Sequence, residues 1–135
     1  MKKEINEENS ISEYKADGVN NFEHILDEFD QMKILRENIS DNTDLAFNML
    51  KAIKDDGEDD VVDSLTIYCS EILEQEKLAK EVFDKAEVLV ENAKNIKEND
   101  KLSKMENMLM EYFSALKLNE KNSSERLTKV LKSFK

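Results

Sequence analysis

Carboxylates are densest between residues 55 and 63, a stretch that also contains Gly57, one of only two glycines in the chain. Calcium requires converging oxygen ligands, and an EF-hand places them at loop positions 1, 3 and 5 before a glycine at position 6. With the glycine at position 6, those positions hold Ala52, Lys54 and Asp56, so two of the three lack a carboxylate. The sequence instead favours a solvated turn, in which a left-handed glycine ends one helix and carboxylates begin the next. It therefore predicts no metal site, and a weakly bound ion at residues 55–60 stays as the alternative.

His24 and Cys69 are the only histidine and the only cysteine. A zinc site needs three or four ligands, and neither residue has a second His or Cys to join it. The sequence around Cys69 is apolar and acidic, whereas a reactive thiolate needs an electropositive, accessible setting. We therefore expect a partly exposed His24 on a helix face and a buried Cys69 that packs as a small hydrophobe. The chain also has no glycine-rich phosphate loop and no nucleophile motif, so the sequence predicts a protein that is not an enzyme and needs no cofactor.

Methionine is concentrated in the stretch 105–113, MENMLMEYF. Met side chains fill irregular gaps in cores, and they also line grooves that bind other proteins. Met105 and Leu109 fit the apolar spacing of a helix, which predicts a place in the core. Met108 and Met110 fit it less well, so an exposed patch for a partner is the alternative for these two.

Apolar residues recur at spacings of three and four over three long stretches, which predicts helices. The first begins near Asn21, the second covers about residues 61–96, and the last begins near Lys101. Two polar steps interrupt this pattern, SDNTD at residues 40–44 and NEKNSS at residues 119–124. Each step either ends a helix or lies within a continuous one, so the fold class is predicted as all-α, an antiparallel bundle of three to four long helices.

The predicted bundle spans residues 18–120. A polar stretch without a helical stripe precedes it, and we interpret residues 1–17 as a flexible N-terminal arm. Residues 121–135 form a basic amphipathic C-terminal segment with five Lys or Arg and one acidic residue, a net charge of +4 that leaves −15 on residues 1–120. This segment either continues the last helix or bends away from it.

The composition limits the partners and the location of the protein. The 135 residues carry a formal net charge of −11 and contain no proline. An acidic surface repels phosphate backbones, so no nucleic-acid partner is expected. One cysteine cannot form an intrachain disulfide, the first residues show no secretory signal, and no apolar run is long enough to span a membrane. These features predict a cytoplasmic protein.

The end of the chain, MLMEYFSALKLNEKNSSERLTKVLKSF, combines an apolar ladder, a Leu-Asn step at LNEKN and a short amphipathic segment. In this it resembles FlgN-like flagellar type III export chaperones, which are also small, acidic and all-helical. The resemblance implies a cytosolic chaperone that holds a helical segment of a secreted protein before export. It also implies that the C-terminal segment contacts this client. The partner-binding residues implied in this way are Leu116, Leu118, Asn119, Asn122, Leu127, Val130, Leu131 and Phe134.

Two other functions also fit the sequence. The chain could be a subunit of a larger helical complex in which its apolar seam completes a coiled coil. It could also be an acidic regulator that covers a basic partner, for which binding would depend steeply on salt. All three functions require a protein partner, and the oligomeric state is open.

Overall fold

Three long helices make up the computed structural model, which describes residues 17–55 and 57–133. They are α1 (Asp17–Ile53), α2 (Asp59–Ala93) and α3 (Asn99–Lys132). The prediction of an all-α bundle is confirmed, with three helices in the described part of the chain rather than four. The predicted N-terminal arm lies outside the described residues, apart from the first residue of α1. No helix in the described ranges is long and apolar enough to cross a membrane.

The polar step at residues 40–44 lies inside α1 and does not end it. Thr43 is buried, and its hydroxyl donates to the Ile39 carbonyl oxygen one turn earlier, at 3.1 Å. The Asn42 amide reaches α3 and donates to the hydroxyls of Ser123 and Ser124, at 3.1 and 3.2 Å. The polar side chains at this step therefore bond within the helix and across to a neighbour, which removes the need for a helix end.

The second polar step, at residues 119–124, likewise lies inside α3. Asn119 is buried, and its amide nitrogen donates to the Gln75 side-chain oxygen on α2 at 3.1 Å. Ser123 is completely buried and accepts the hydrogen bond from Asn42. The C-terminal segment as far as Lys132 is therefore a continuation of α3.

Contacts between side chains define the directions of the helices. Phe29 stacks on Phe83 with ring centroids 5.0 Å apart, and the Cys69 thiol donates to the Ala46 carbonyl oxygen at 3.4 Å, so α1 and α2 are antiparallel. The contact of Asn119 with Gln75 and that of Arg126 with Glu71 make α2 and α3 antiparallel too. In consequence α1 and α3 run parallel to each other.

The core divides into two clusters along the bundle. The larger cluster packs the beginnings of α1 and α3 against the end of α2. The smaller one lies near the turn between α1 and α2 and is closed by the C-terminal part of α3. Its buried members are Ala46, Leu65, Cys69, Ile72 and Val130.

The helix ends differ from their predicted positions. The first helix begins at Asp17 rather than near Asn21. The second ends at Ala93, although the apolar spacing extends to Ile96. Ile96 still packs against the larger cluster, and its N–H donates to the Ala93 carbonyl oxygen in the connecting turn. The apolar spacing therefore continues past the end of the helix.

The packing of the C-terminal segment is testable with two adjacent residues. Val130 is completely buried, whereas 42% of the surface of Leu131 is exposed. We expect Val130→Ala to lower the free energy of unfolding by about 2 kcal/mol, because it removes buried methyl groups and leaves a cavity. Leu131→Ala, the matched control, should change it by less than about 0.5 kcal/mol. Chemical denaturation followed by circular dichroism measures both, and equal effects would contradict a packed C-terminal segment.

Candidate functional site

The acidic turn between α1 and α2 depends on a close backbone approach. The Gly57 N–H donates to the Ile53 carbonyl oxygen at 2.7 Å. A Cβ at Gly57 would lie 2.9 Å from that oxygen and 3.2 Å from Val62 Cγ2. Space therefore requires glycine at this position, because a larger residue would meet backbone. The left-handed conformation expected for Gly57 stays a prediction.

The carboxylates after the turn lie at the start of α2, as predicted. Glu58 is the extended residue before the helix, and its side chain makes no capping hydrogen bond. Asp59 and Asp60 occupy the first turn, where negative charge is favourable beside free N–H groups. Within residues 17–55 and 57–133, no three His, Cys, Asp or Glu side chains are arranged to hold a metal ion. Asp56 lies outside the described residues.

The steric requirement at this turn gives a stability prediction. We expect Gly57→Ala to lower the free energy of unfolding by about 1 kcal/mol or more, because the new methyl group meets backbone rather than a movable side chain. Lys54→Ala, an exposed change in the same turn, should be close to neutral. Thermal unfolding of both variants checks this, and a Gly57→Ala protein as stable as the unmodified chain would contradict the close approach.

Three titratable side chains meet between α1 and α3. Glu28 is partly buried, and its Oε1 is the one buried side-chain oxygen or nitrogen in the described residues without a hydrogen-bond partner. It lies beside Glu106 on α3, whose Oε2 is 3.8 Å from Nδ1 of the exposed His24. Two carboxyl groups at one junction, with a single imidazole beside them, form the most unusual electrostatic feature of the bundle.

Burial and then the neighbouring carboxyl group raise the pKa of Glu28 to about 7. Loss of water penalises the charged form, and the Glu106 carboxylate both repels a second negative charge and accepts a hydrogen bond from the protonated form. Glu28 therefore gains and loses its proton near neutral pH, and the stability of the bundle depends on pH in this range.

Because the pKa of Glu28 is higher in the folded chain than in the unfolded chain, its contribution to stability is greatest below about pH 4.5 and is lost as pH rises through about 7. We expect Glu28→Gln to be more stable than the unmodified chain at pH 8, by on the order of 1 kcal/mol given partial exposure, with the difference shrinking toward pH 4. Glu23→Gln, an exposed change five residues earlier, is the control. Unfolding curves across this pH range measure the difference, and a constant offset would contradict the proton on Glu28.

The remaining chemical candidates lie where the sequence predicted. Cys69 is buried, and burial raises the pKa of its thiol, which disfavours the reactive thiolate. Leu109 is buried and Met105 packs against the larger core cluster, while Met108 and Met110 are exposed. The expected division of the methionine stretch into core and surface is confirmed.

An open apolar groove of about 460 Å³ lies between α1 and α3. Ile34 forms one shoulder with 58% of its surface exposed, and Leu35 and Phe113 form the floor. The groove is also lined by Gln31 and by Lys117, whose ammonium lies 4.3 Å above the Phe113 ring. Sequence reasoning missed this groove. Its one signal was Ile34, a large apolar residue that falls outside the core-facing stripe of α1.

The eight residues predicted to bind a partner do not form one exposed surface. Leu118 and Leu131 are exposed, Asn122 and Leu127 are partly buried, and Phe134 lies outside the described residues. The other three are buried in the bundle, namely Leu116, Asn119 and Val130. In this conformation the buried residues contact α1 and α2, so their role toward a partner stays a prediction.

The basic charge of the C-terminal segment is partly directed at α2. The Arg126 guanidinium donates to the Glu71 carboxylate at 2.7 Å, and the Lys129 ammonium lies 5.7 Å from the centre of the Tyr68 ring. These contacts are largely solvent-exposed, so each adds little to stability. They nonetheless position the cations along the acidic α2 rather than leave them as a separate basic arm.

No known protein-family model, curated protein or solved structure matches this chain. The apolar groove between α1 and α3 is therefore the feature from which a function can be proposed.

Proposed function

We propose that the chain is a non-enzymatic protein-binding module that holds a helical segment of another protein. The observation that carries this proposal is the open groove floored by Leu35 and Phe113 in a chain of which 38% of the residues are charged. A contiguous apolar depression at the surface of a charged bundle favours burial by a partner. Two parallel helices form a trough that suits the apolar face of a third helix.

The narrower proposal is a role like that of flagellar export chaperones, supported by the sequence of the C-terminal segment. If Leu116 or Val130 contacts a client, the end of α3 must first separate from the bundle, since both are completely buried. Contact through Leu118 and Leu131 needs no such separation, because both are exposed. The exposed pair is therefore the part of the segment that supports a chaperone role most directly.

Removal of the C-terminal segment would be a poor test of this role. Truncation after Leu118 deletes Val130 and Leu127 from the smaller core cluster and the hydrogen bond between Asn119 and Gln75. We expect the truncated chain to lose stability, so a loss of binding would not identify a contact surface. Substitutions at exposed positions avoid this problem.

The test is affinity capture of the tagged intact chain from the cells that produce it, followed by quantitative mass spectrometry. We expect one protein at near-stoichiometric yield with the unmodified chain, and a large reduction with Ile34→Asp. Ile67→Asp on α2 is the matched control, because Ile67 is equally exposed and lies outside the groove.

Other outcomes of the capture experiment would contradict this proposal or favour one of the two alternative functions. No protein above the level of a tag-only control would contradict a protein-binding module. Several helical proteins at fixed ratios would indicate a subunit of a larger complex. A basic partner that dissociates in moderately raised salt, with Ile34→Asp still active, would indicate an acidic regulator.

A further inference from the structure

Contacts between α1 and α3 recur at three positions of α1 that are seven residues apart. Glu28 meets Glu106 at the lower end, and Leu35 lies with Phe113 seven residues further along both helices. At the upper end Asn42 bonds to Ser123 and Ser124, which lie ten and eleven residues after Phe113, so the seven-residue spacing holds on α1 but not along the whole of α3. The groove lies beside the middle of this seam, at Gln31–Leu35 of α1 and Phe113–Lys117 of α3.

The rows of residues that extend from Gln31 and Lys117 along the two helices carry little charge. On α1 the row next to the seam, again at a spacing of seven, is Gln31, Asn38 and Leu45, and on α3 it is Met110, Lys117 and Ser124. Leu45 is 45% exposed and Met110 is 41% exposed. Lys117 is the one charged residue in these two rows, so the trough itself suits an uncharged or apolar surface.

The charges on the two sides of the groove differ. Helix α1 contains eight acidic and three basic residues, a net charge of −5. Helix α3 contains five acidic and seven basic residues, but two of these cations, Arg126 and Lys129, lie beside α2 rather than beside the groove. Four exposed residues at helical spacing from Ile34 are acidic, Asp27, Asp30, Glu37 and Asp41, and one of them, Asp30, pairs with Lys33 at 3.6 Å. On the α3 side, the exposed cations are Lys117 and, one turn later, Lys121.

We infer that the groove between α1 and α3 binds one amphipathic helix that has an apolar stripe, basic residues on the flank beside α1 and acidic residues on the flank beside α3. This inference rests on the proposed function and specifies its site and partner. Opposite charges on the two flanks of a helix select both the partner and its direction in the groove. The groove itself, at Gln31–Leu35 and Phe113–Lys117, holds little more than one turn of the bound helix, whereas the acidic residues from Asp27 to Asp41 extend beside about four turns.

The charge of the whole protein favours a different protein over a second copy as the occupant. Each chain has a net charge of −11, so two copies repel each other as they approach. A helix with basic residues on one flank is attracted by the acidic α1 shoulder.

The probe is a synthetic helix of about 18 residues with a leucine stripe, lysines on one flank and glutamates on the other. One control peptide has the same composition with the stripe broken, and a second has glutamates on both flanks. Fluorescence anisotropy with the intact chain measures each affinity. We expect binding of the first peptide, with the two controls weaker by on the order of tenfold or more.

Variants of the chain then locate the bound helix. We expect Ile34→Asp and Lys117→Glu each to weaken binding of the first peptide by about tenfold, and Ile67→Asp to leave it unchanged. Circular dichroism confirms that each variant is folded, which is expected since Ile34 and Ile67 are both exposed.

The outcomes separate this inference from the proposed function. Equal binding by Ile34→Asp and the unmodified chain would overturn the groove as the site and leave a helix-binding function standing. No binding of any peptide would overturn the stated chemistry of the partner, while the capture experiment still tests the function independently. A dimer in sedimentation that Ile34→Asp converts to a monomer would show that a second copy occupies the groove, which also overturns the inference.

Discussion

Two polar contacts between helices fix how the bundle is aligned. The Asn119 amide bonds to Gln75, and the Asn42 amide bonds to Ser123, all at partly or completely buried positions. Apolar stripes that repeat every seven residues pack almost as well after a shift of one repeat, whereas a buried polar group that loses its partner costs free energy. These contacts therefore select one alignment of α1, α2 and α3, and the groove and the carboxyl pair exist only in that alignment.

The same alignment makes the bundle continuous to its C-terminal end. With Ser123 in register, Val130 reaches the smaller core cluster and Arg126 lies beside Glu71. The cations of the C-terminal segment are thus held against the most acidic helix, while the shoulder formed by Lys117 stays open beside Phe113. A firmly packed α3 gives a partner helix a preformed trough, which lowers the entropy lost on binding.

Much of the fold follows from local pattern, whereas the site does not. Spacings of three and four residues were enough to predict three helical stretches, a buried Cys69 and an exposed His24, because each depends on the face of one helix. The end of α2 was misplaced because Ile96 packs on the core after the helix has ended. Glu28 and Glu106 are 78 residues apart, and only the relative position of two helices brings them together. Ile34 was the one signal of the groove in the sequence, but the groove also needs Phe113 of α3, and the sequence does not show that the two residues lie close together.

The carboxyl pair and the groove share one physical origin, the parallel packing of α1 and α3. Glu28 is the twelfth residue of α1 and Glu106 the eighth of α3, too far along for the positive helix ends to stabilise them. Among the described residues, the one basic side chain within 4.0 Å of either carboxyl group is the exposed His24. A carboxyl pair without a nearby cation lowers the stability of the folded chain at high pH. The pair lies about one helical turn before Gln31 and is not part of the groove lining, so the pH dependence of stability and the apolar groove are separate consequences of the same packing.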